Sequence, residues 1–385
     1  PEMIRKVKLL CAACFIGLVS CVGPNQDSLP HKGSKKISAD ISELDSIDID
    51  AIDTSTRGNL LLSGDTLYFA DMRYCTLHKY DLAGKYLGKK LGEGNGPDEL
   101  PSLLYASPLS GCNDSIVIID SSIRMYLYNN PKDSLISLGN VDFGWGSDSD
   151  GYDSPGVYNI MEMTDFGITF TKMDDGNIVF PISIIRRFVG DEIDKERYEK
   201  GHTFGMLDPT SMKVVKVFGK FAPFMLENPT PGFEFFDYAY NDADHKYYIS
   251  FATDPKLYCM NESGEMEYSF GEDPHDVKRT YTVGYNDPYD TFKEDIKDGQ
   301  IGCNTGIIYV KDKNLVLRTT LLDFASGRVT LQAYRDNDLI FEKEMPPYFK
   351  LLGYANGYFI GCRFLPVEID DNNVAFRIYK FNILA

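Results

Sequence analysis

The 385-residue chain has few of the residues and motifs that identify common classes of enzyme and metalloprotein. It contains one Trp, five isolated His and eight Cys, and the five Cys beyond position 21 are scattered, with no C-x-x-C pair and no metal-like spacing among them. A G-x-S-x-G nucleophile elbow and an H-E-x-x-H zinc helix are also missing from the sequence. Carboxylates are too common to nominate an acid and base pair. We therefore expect a non-catalytic protein without a cofactor, and leave calcium as an open alternative.

Basic residues are in the minority. The chain carries 39 Lys and Arg against 57 Asp and Glu, a formal net charge of −18. Such a surface repels nucleic acid and anionic lipid, so neither is an expected partner. The excess of acids is typical of a solvated exterior.

No apolar run is long enough to span a bilayer. The longest, Leu9–Leu18, follows a basic start with Arg5, Lys6 and Lys8. This pattern predicts a secretory signal peptide in residues 1–20, in which Pro1 and Glu2 precede the natural start.

The segment Leu18-Val19-Ser20-Cys21 resembles the lipobox of bacterial lipoproteins. The resemblance implies that Cys21 is acylated, becomes the first mature residue and anchors the protein to a membrane. The alternative is an ordinary signal peptide followed by a chance cysteine. Residues 21–40 are polar and rich in turn formers, which predicts a flexible tether. We expect a location in the cell envelope, with the outer membrane, on its periplasmic or surface side, favoured over the inner.

Five cysteines remain after cleavage and acylation, at positions 75, 112, 259, 303 and 362. Because the number is odd, at least one thiol is unpaired. We expect most of them to be small core residues, and one disulfide stays open.

The abundance of Phe (24) and Tyr (25) favours an all-β protein. A phrase of four short strands and turns recurs six times; its clearest copy runs from Asn59 to Gly92. This rhythm predicts a six-bladed β-propeller over residues 41–385, with four-stranded blades. The last copy lacks one strand, and the alternating stretch Leu44–Ile52 is expected to supply it and so close the ring. The rival interpretation is two stacked β-sandwiches.

The loop "GEGNGPDEL" at Gly92–Leu100 has the glycine content of a phosphate-binding loop. It opens no helix, however, and places Pro97 and two acids where a phosphate needs amides and a cation. We interpret it as a sharp crossing between blades. With the lipobox and the closing strand, its G-x-G-P-x-E at Gly94–Glu99 resembles the TolB-like six-bladed propeller lipoproteins of Bacteroidota, relatives of the NHL-type propellers. The resemblance implies a fold and an envelope setting, and no chemistry.

Candidate binding residues are expected on the face of the propeller that carries its long loops. Arginines near the ends of second strands could form a cationic rim for a carboxylate or sulfate, or else pair with Asp71, Asp120 or a neighbouring blade as structural links. Exposed aromatic rings could stack on a sugar or a peptide, or pack the loops. The binding candidates are Arg73, Arg124, Arg187, Arg363, Trp145, Tyr152 and Glu99.

The acidic run "SDSDGYD" offers weak candidates for a hard cation: Asp148, Asp150 and Asp153. It lacks the spacing and the terminal Glu of a calcium loop, and a solvated acidic loop is the alternative.

Together these features predict an envelope protein that binds a glycan, a peptide or a protein partner without catalysis. The alternative is a propeller hydrolase or lyase, calcium-assisted, acting on a carbohydrate or a peptide.

Overall fold

A computed structural model describes residues 29–51, 53–112, 114–146, 151–161, 167–185, 194–285, 287–370 and 373–384. The chain divides into two compact parts, Pro1–Pro30 and His31–Ala385. The expected signal peptide (1–20), Cys21, Asp148, Asp150 and Arg187 lie outside the described residues.

The second compact part, His31–Ala385, is all-β with a propeller-like arrangement. It begins with three short strands: β1 (His31–Lys32), β2 (Asp40–Ile41) and β3 (Asp45–Asp50). Consecutive antiparallel strands then form units of four strands each. The first unit is β4 (Gly58–Ser63), β5 (Thr66–Asp71), β6 (Thr76–Asp81) and β7 (Tyr86–Lys90). The second unit is β8 (Tyr105–Ser110), β9 (Ser115–Ile119), β10 (Arg124–Asn129) and β11 (Ser134–Asn140).

The third and fourth units follow the same order. They comprise β12 (Tyr158–Ile160), β13 (Phe170–Lys172), β14 (Ile178–Ile184), β15 (Phe204–Asp208) and β16 (Lys213–Phe218), then β17 (Phe236–Asn241), β18 (Lys246–Phe251), β19 (Leu257–Asn261) and β20 (Met266–Phe270). The short β12 is an addition to the third unit, and it pairs with β14.

The last two units complete the chain. Their strands are β21 (Cys303–Val310), β22 (Leu315–Leu321), β23 (Val329–Arg335) and β24 (Asp338–Met345), then β25 (Phe349–Ala355), β26 (Tyr358–Arg363), β27 (Val367–Asp370), β28 (Asn373–Phe381) and β29 (Ile383–Leu384). The N-terminal β3 pairs antiparallel with β28, with Ile49 opposite Phe376, and becomes the outer strand of the last unit. The alternation of Leu44–Ile52 correctly predicted this pairing, since Ile49 is buried while its neighbours Asp48 and Asp50 are exposed.

The second and third units are not separate sheets. Strands β8 and β13 pair in parallel, with Phe170 opposite Leu109, and this joins the two units into one nine-stranded sheet. Six separate four-stranded blades were expected, so that expectation is met only in part.

Residues 31–41 follow the outer edges of the later units. Strand β1 extends the fourth unit by pairing in parallel with β20, Lys35 forms a bridge with Leu339 on β24, and β2 pairs with β29. These residues belong to the segment expected to be a tether, but from His31 onward backbone pairing holds them to the β structure.

Helices are short and lie in the connections between strands. They are α1 (Lys195–Lys200), α2 (Pro223–Glu227) and α3 (Pro288–Ile296), with 3-10 turns at Pro155–Val157, Pro231–Phe233 and Lys311–Lys313. Asp194 caps α1 by accepting the Arg197 N–H, and Asp287 caps α3 in the same way. In the part of the chain that the structure describes, no helix has the length and apolar character needed to cross a membrane.

Large apolar side chains fill the space between neighbouring units. At the junction of the first and last units, the rings of Phe69 and Phe376 stack 4.3 Å apart. Leu60, Leu67 and Ile360 pack around them. This junction joins the two ends of the propeller-like unit by burial of apolar surface.

Candidate functional site

The first strand of each unit lines a central channel. Its cavity of about 320 Å³ is bounded by residues of β4, β8, β17, β21 and β25, and by the segment that enters β13. Most residues in the wall are apolar, and few of their side chains carry a charge. The polar side chains near the start of these strands include Asn59, Ser107, Thr169, Asp237 and Lys350.

Asp237 links three of these first strands. Its Oδ1 accepts hydrogen bonds from Thr169 Oγ1 (2.8 Å) and from the Tyr238 N–H (2.8 Å), and its Oδ2 accepts one from the Ile307 N–H (3.1 Å). Burial raises the pKa of Asp237, while these donors and the charge of Lys350 oppose that shift. With both oxygens engaged, the carboxylate is placed to hold strands together.

Lys350 lines the central channel and two smaller cavities. These are a crevice of about 20 Å³ between the first and last units and an apolar pocket of about 140 Å³. A methyl group placed on Gly167 would lie 3.7 Å from Lys350 Nζ, so the amine reaches the opposite wall of the channel. We call these three cavities, which share Lys350 in their walls, the channel mouth.

Arg363, one of the expected rim arginines, lines the crevice of the channel mouth. It is directly opposite Phe349 across β25 and β26, and its guanidinium lies 5.6 Å from the centre of the Tyr348 ring. Its Nε is buried and has no hydrogen-bond partner among the described residues. An orphaned buried donor is unusual in a folded protein, and here it borders a cavity.

The apolar pocket completes the channel mouth. Its walls are Thr305, Leu321, Phe324, Val329, Tyr348, Phe349, Lys350 and Phe364. Aromatic rings therefore form much of the pocket wall, and Lys350 is the one charged residue among the described residues that line it. Such a wall accepts an apolar or ring-shaped group.

The expected cationic rim does not form as a whole. Arg73 is exposed and lies 5.8 Å from the Tyr74 ring, while its backbone N–H donates to the buried Asp71. Arg124 is also exposed, and its Nε donates to Asn140 on the neighbouring strand (2.9 Å). Of the described candidates, Arg363 is the arginine that borders the channel mouth.

Arg124 instead borders a second pocket, of about 250 Å³, with the Gly94–Glu99 loop. There the Glu99 Oε2 accepts the N–H of Gly96 (2.8 Å), so the carboxylate folds back on its own loop. A methyl group on Gly94, whose φ is +155°, would lie 2.0 Å from this oxygen. The G-x-G-P-x-E sequence is explained by this local structure, in which glycine is required for close approach.

The aromatic candidates make contacts within their own loop. Trp145 stacks on Phe143 at 5.4 Å and donates from Nε1 to the Tyr158 carbonyl (2.8 Å). The Tyr158 hydroxyl in turn donates to the carbonyl of Tyr152 (2.6 Å). Trp145 is still 38% exposed, so it packs the loop and leaves part of its ring accessible.

Asp153 is paired with a histidine that the sequence showed only as isolated. Its Oδ1 lies 2.9 Å from His202 Nε2, and this hydrogen bond lowers the pKa of Asp153. No group of three or more His, Cys, Asp or Glu residues converges on a possible metal position within the described ranges.

Two arginines that sequence reasoning missed, the half-buried Arg279 and the buried Arg318, hold loops in place. Arg279 donates to Asp273, to the Ala252 carbonyl (3.0 Å) and to Asn304 (3.0 Å). Arg318 donates to the Pro255 carbonyl (2.8 Å) and to Gln332. Both guanidinium groups donate hydrogen bonds to loop carbonyls and to polar side chains. Their role is therefore structural.

All five described cysteines are free thiols. Four are buried, and Cys112 is partly exposed at the wall of the channel. Burial raises the pKa of Cys303 and of Cys362 to about 12. Their environment is that of core residues and not of a reactive nucleophile.

Comparisons with known proteins identify structures similar in fold. No family model and no curated protein matches the chain. A member of the DUF4221 family from Bacteroides vulgatus is similar with a TM-score of 0.66 and 12% identity, over 91% of this chain and 100% of that one. A Bacteroides fragilis protein described as a candidate exported protein has a TM-score of 0.50 and 10% identity, over 92% and 100%. At these identities the likeness concerns the fold alone.

Proposed function

We propose that this chain is a lipid-anchored propeller of the cell envelope that binds a glycan, a peptide or a protein partner without catalysis. The observation that carries the proposal is the channel mouth, in which Lys350 lines all three cavities, Arg363 lines the crevice and aromatic rings line the apolar pocket. Ligand sites in proteins are typically concave and largely apolar, with a few polar groups that fix the orientation of the ligand.

The proposal includes a ring of six blades closed by β3. Six successive four-stranded units and the pairing of β3 with β28 support this arrangement. The resemblance to TolB-like lipoproteins belongs to the same proposal, supported by the fold likeness to two Bacteroides proteins.

The hydrolase or lyase alternative needs acids and a histidine together at the channel mouth. Among the described residues that line the three cavities, Asp237 is the single carboxylate, and no histidine is present. Both oxygens of Asp237 already accept hydrogen bonds from protein donors. Binding is therefore the function that this geometry supports better.

The binding function is tested on glycan and peptide arrays with the full chain in detergent. Reproducible binding that weakens in Lys350→Gln and persists in Lys89→Gln, a lysine on the outer strand β7, is the expected result. If no array ligand is bound and no partner is recovered from envelope extracts, the proposal is contradicted.

The proposed lipid anchoring to a membrane has its own test. We expect Cys21→Ala to abolish labelling by a radioactive or clickable fatty acid and to release the protein from membranes. Cys11→Ala, within the expected signal peptide, is the matched control and should leave both unchanged. Persistent lipid labelling of Cys21→Ala would contradict the lipobox assignment.

A further inference from the structure

We infer that the apolar pocket of the channel mouth binds one uncharged aromatic ring, supplied by a phenyl side chain of a peptide or by a free aromatic compound of the same size. This inference rests on the proposed binding function and adds the chemical group that is recognised. It follows from the size of the pocket, the chemistry of its walls and the way in which Tyr348 is held.

The size of the pocket fits a single ring. An apolar cavity of about 150 Å³ holds one benzene molecule in an engineered protein, and this pocket measures about 140 Å³. Three of its wall residues are buried, namely Leu321, Val329 and Phe349. Three half-buried aromatic side chains also line it: Phe324, Tyr348 and Phe364. Because the half-buried rings reach the protein surface, a ligand ring has a way in.

The walls offer few hydrogen-bond partners to a ligand. The Thr305 hydroxyl is already within hydrogen-bond distance of Thr319 Oγ1, at 3.1 Å. The Lys350 amine extends toward Gly167 in the wall of the central channel. A sugar ring in this pocket would bury several hydroxyl groups with few partners, which costs free energy, whereas a phenyl group has none to satisfy. The chemistry of the walls therefore favours an uncharged aromatic ring over a sugar.

Tyr348 is held in a strained conformation that fixes its ring at the pocket. Its φ of +61° lies in the left-handed region, which is costly for a bulky residue. Hydrogen bonds on both sides maintain this backbone: the Tyr348 N–H donates to the Gly327 carbonyl (2.7 Å), and the Tyr348 carbonyl accepts the Phe364 N–H (2.8 Å). The ring packs closely on Gly327, where an added methyl group would lie 2.5 Å from it, and the Arg363 guanidinium lies 5.6 Å from its centre. A wall that is fixed before the ligand arrives loses less conformational entropy on binding, and strained residues of this kind cluster at ligand sites.

The probe is N-acetylphenylalaninamide, an uncharged compound with one phenyl ring. N-acetylalaninamide lacks the ring, and methyl glucoside replaces it with a sugar ring. NMR titration of the full chain in detergent, corrected by a detergent-only blank, should show saturable binding of the probe. Binding of the other two compounds should be at least about tenfold weaker, because burial of the phenyl ring supplies most of the affinity.

Two variants change the pocket in opposite ways. Val329→Phe fills the pocket from its own wall and should weaken binding of the probe at least about tenfold. Tyr348→Ala removes one wall ring and should weaken binding about two- to tenfold. Tyr358→Ala, at a tyrosine that is 47% exposed and lines none of the three cavities, is the matched control and should bind as the wild type does. Circular dichroism checks that each variant is folded, and Tyr348→Ala keeps the test decisive if Val329→Phe does not fold.

A capped Ala-Ala-Phe-Ala-Ala peptide distinguishes the two sources of the ring. Tighter binding of this peptide than of the probe supports a peptide side chain, and equal or weaker binding supports a free aromatic compound. No saturable binding of the probe, equal binding of methyl glucoside, or equal loss in Tyr358→Ala would overturn the inference. Should array ligands bind while the probe does not, the recognition of a ring fails and the binding function stands; failure of both experiments removes both.

Discussion

Asp254 makes the stability of this protein depend on pH in a direction opposite to that of most surface carboxylates. The side chain is fully buried, and burial raises its pKa from 3.8 to about 6. The Lys256 N–H (2.9 Å) and the Tyr258 hydroxyl (2.7 Å) donate to its two oxygens and partly oppose that shift. The folded protein therefore holds this proton more tightly than the unfolded chain does.

The sign follows from proton linkage. A carboxyl group whose pKa is higher in the folded state contributes stability that is fully present below about pH 4 and is lost as the pH rises through about 6. A shift of about two pKa units corresponds to about 3 kcal/mol at about 1.4 kcal/mol per unit. Asp254→Asn removes this dependence, because the amide is neutral at every pH and can still accept from Lys256 and donate to Tyr258.

The assay is chemical denaturation of Asp254→Asn and of the wild type at pH 4, 5, 6 and 7. We expect the unfolding free energy of the variant, relative to wild type, to rise by about 2–2.5 kcal/mol between pH 4 and pH 7, because the unfolded carboxyl is already more than half ionised at pH 4. Taking the difference cancels the titration of other groups, and Asp312→Asn, at an exposed position, controls for the loss of one charge. A relative change below about 1 kcal/mol over this range would refute the reasoning.

Three further predictions concern the loop, the thiols and the closing strand. Gly94→Ala should lower the free energy of unfolding in urea by about 1–2 kcal/mol more than Gly88→Ala does. Both glycines have positive φ, but only at Gly94 would the added methyl group lie 2.0 Å from a carboxylate oxygen. Equal losses in the two variants would contradict the clash. Iodoacetamide should label Cys112 of the folded protein well before the four buried thiols, as peptide mass spectrometry can show, and labelling at equal rates would contradict their burial. Ile49→Ala should lower the unfolding free energy by about 2–4 kcal/mol and Arg377→Gln by under about 1 kcal/mol, since the closing strand is held by packing more than by its half-exposed ion pair; the reverse order would contradict this.

The strand pattern was predictable because it has a local cause. Each four-strand unit alternates apolar runs with turn residues, and Leu44–Ile52 shows a period of two that fits a half-exposed edge. The parallel pairing of β8 with β13 was not predictable, because it depends on where the third unit lies and not on the sequence of either strand. The backbone pairing of residues 31–41 was missed for a similar reason: a polar composition is compatible with an edge strand when a partner edge is available.

The candidate site was only partly visible in the sequence. Arg363 was selected because it follows a buried strand, but Lys350 and Asp237 looked like ordinary polar positions of alternating strands. A signal was present nonetheless: Asn59, Asp237 and Lys350 are each the second residue of a unit's first strand. Equivalent positions in the first strands of a propeller-like array face one channel, so polar residues repeated there indicate its lining.

The position of the channel mouth also connects binding with the integrity of the fold. Its crevice lies between the first unit, which supplies Thr56 and Asn59, and the last unit, which supplies Arg363 and Phe376. This is the junction that the pairing of β3 completes, and it joins the two ends of the propeller-like unit. Under the proposed binding function, a ligand that contacts both sides would bind the closed arrangement and not an opened one, and at a hundred times its dissociation constant it would stabilise the closed form by about 2.7 kcal/mol. Apolar packing at this junction and the proposed ligand binding in its crevice would then act on the same equilibrium.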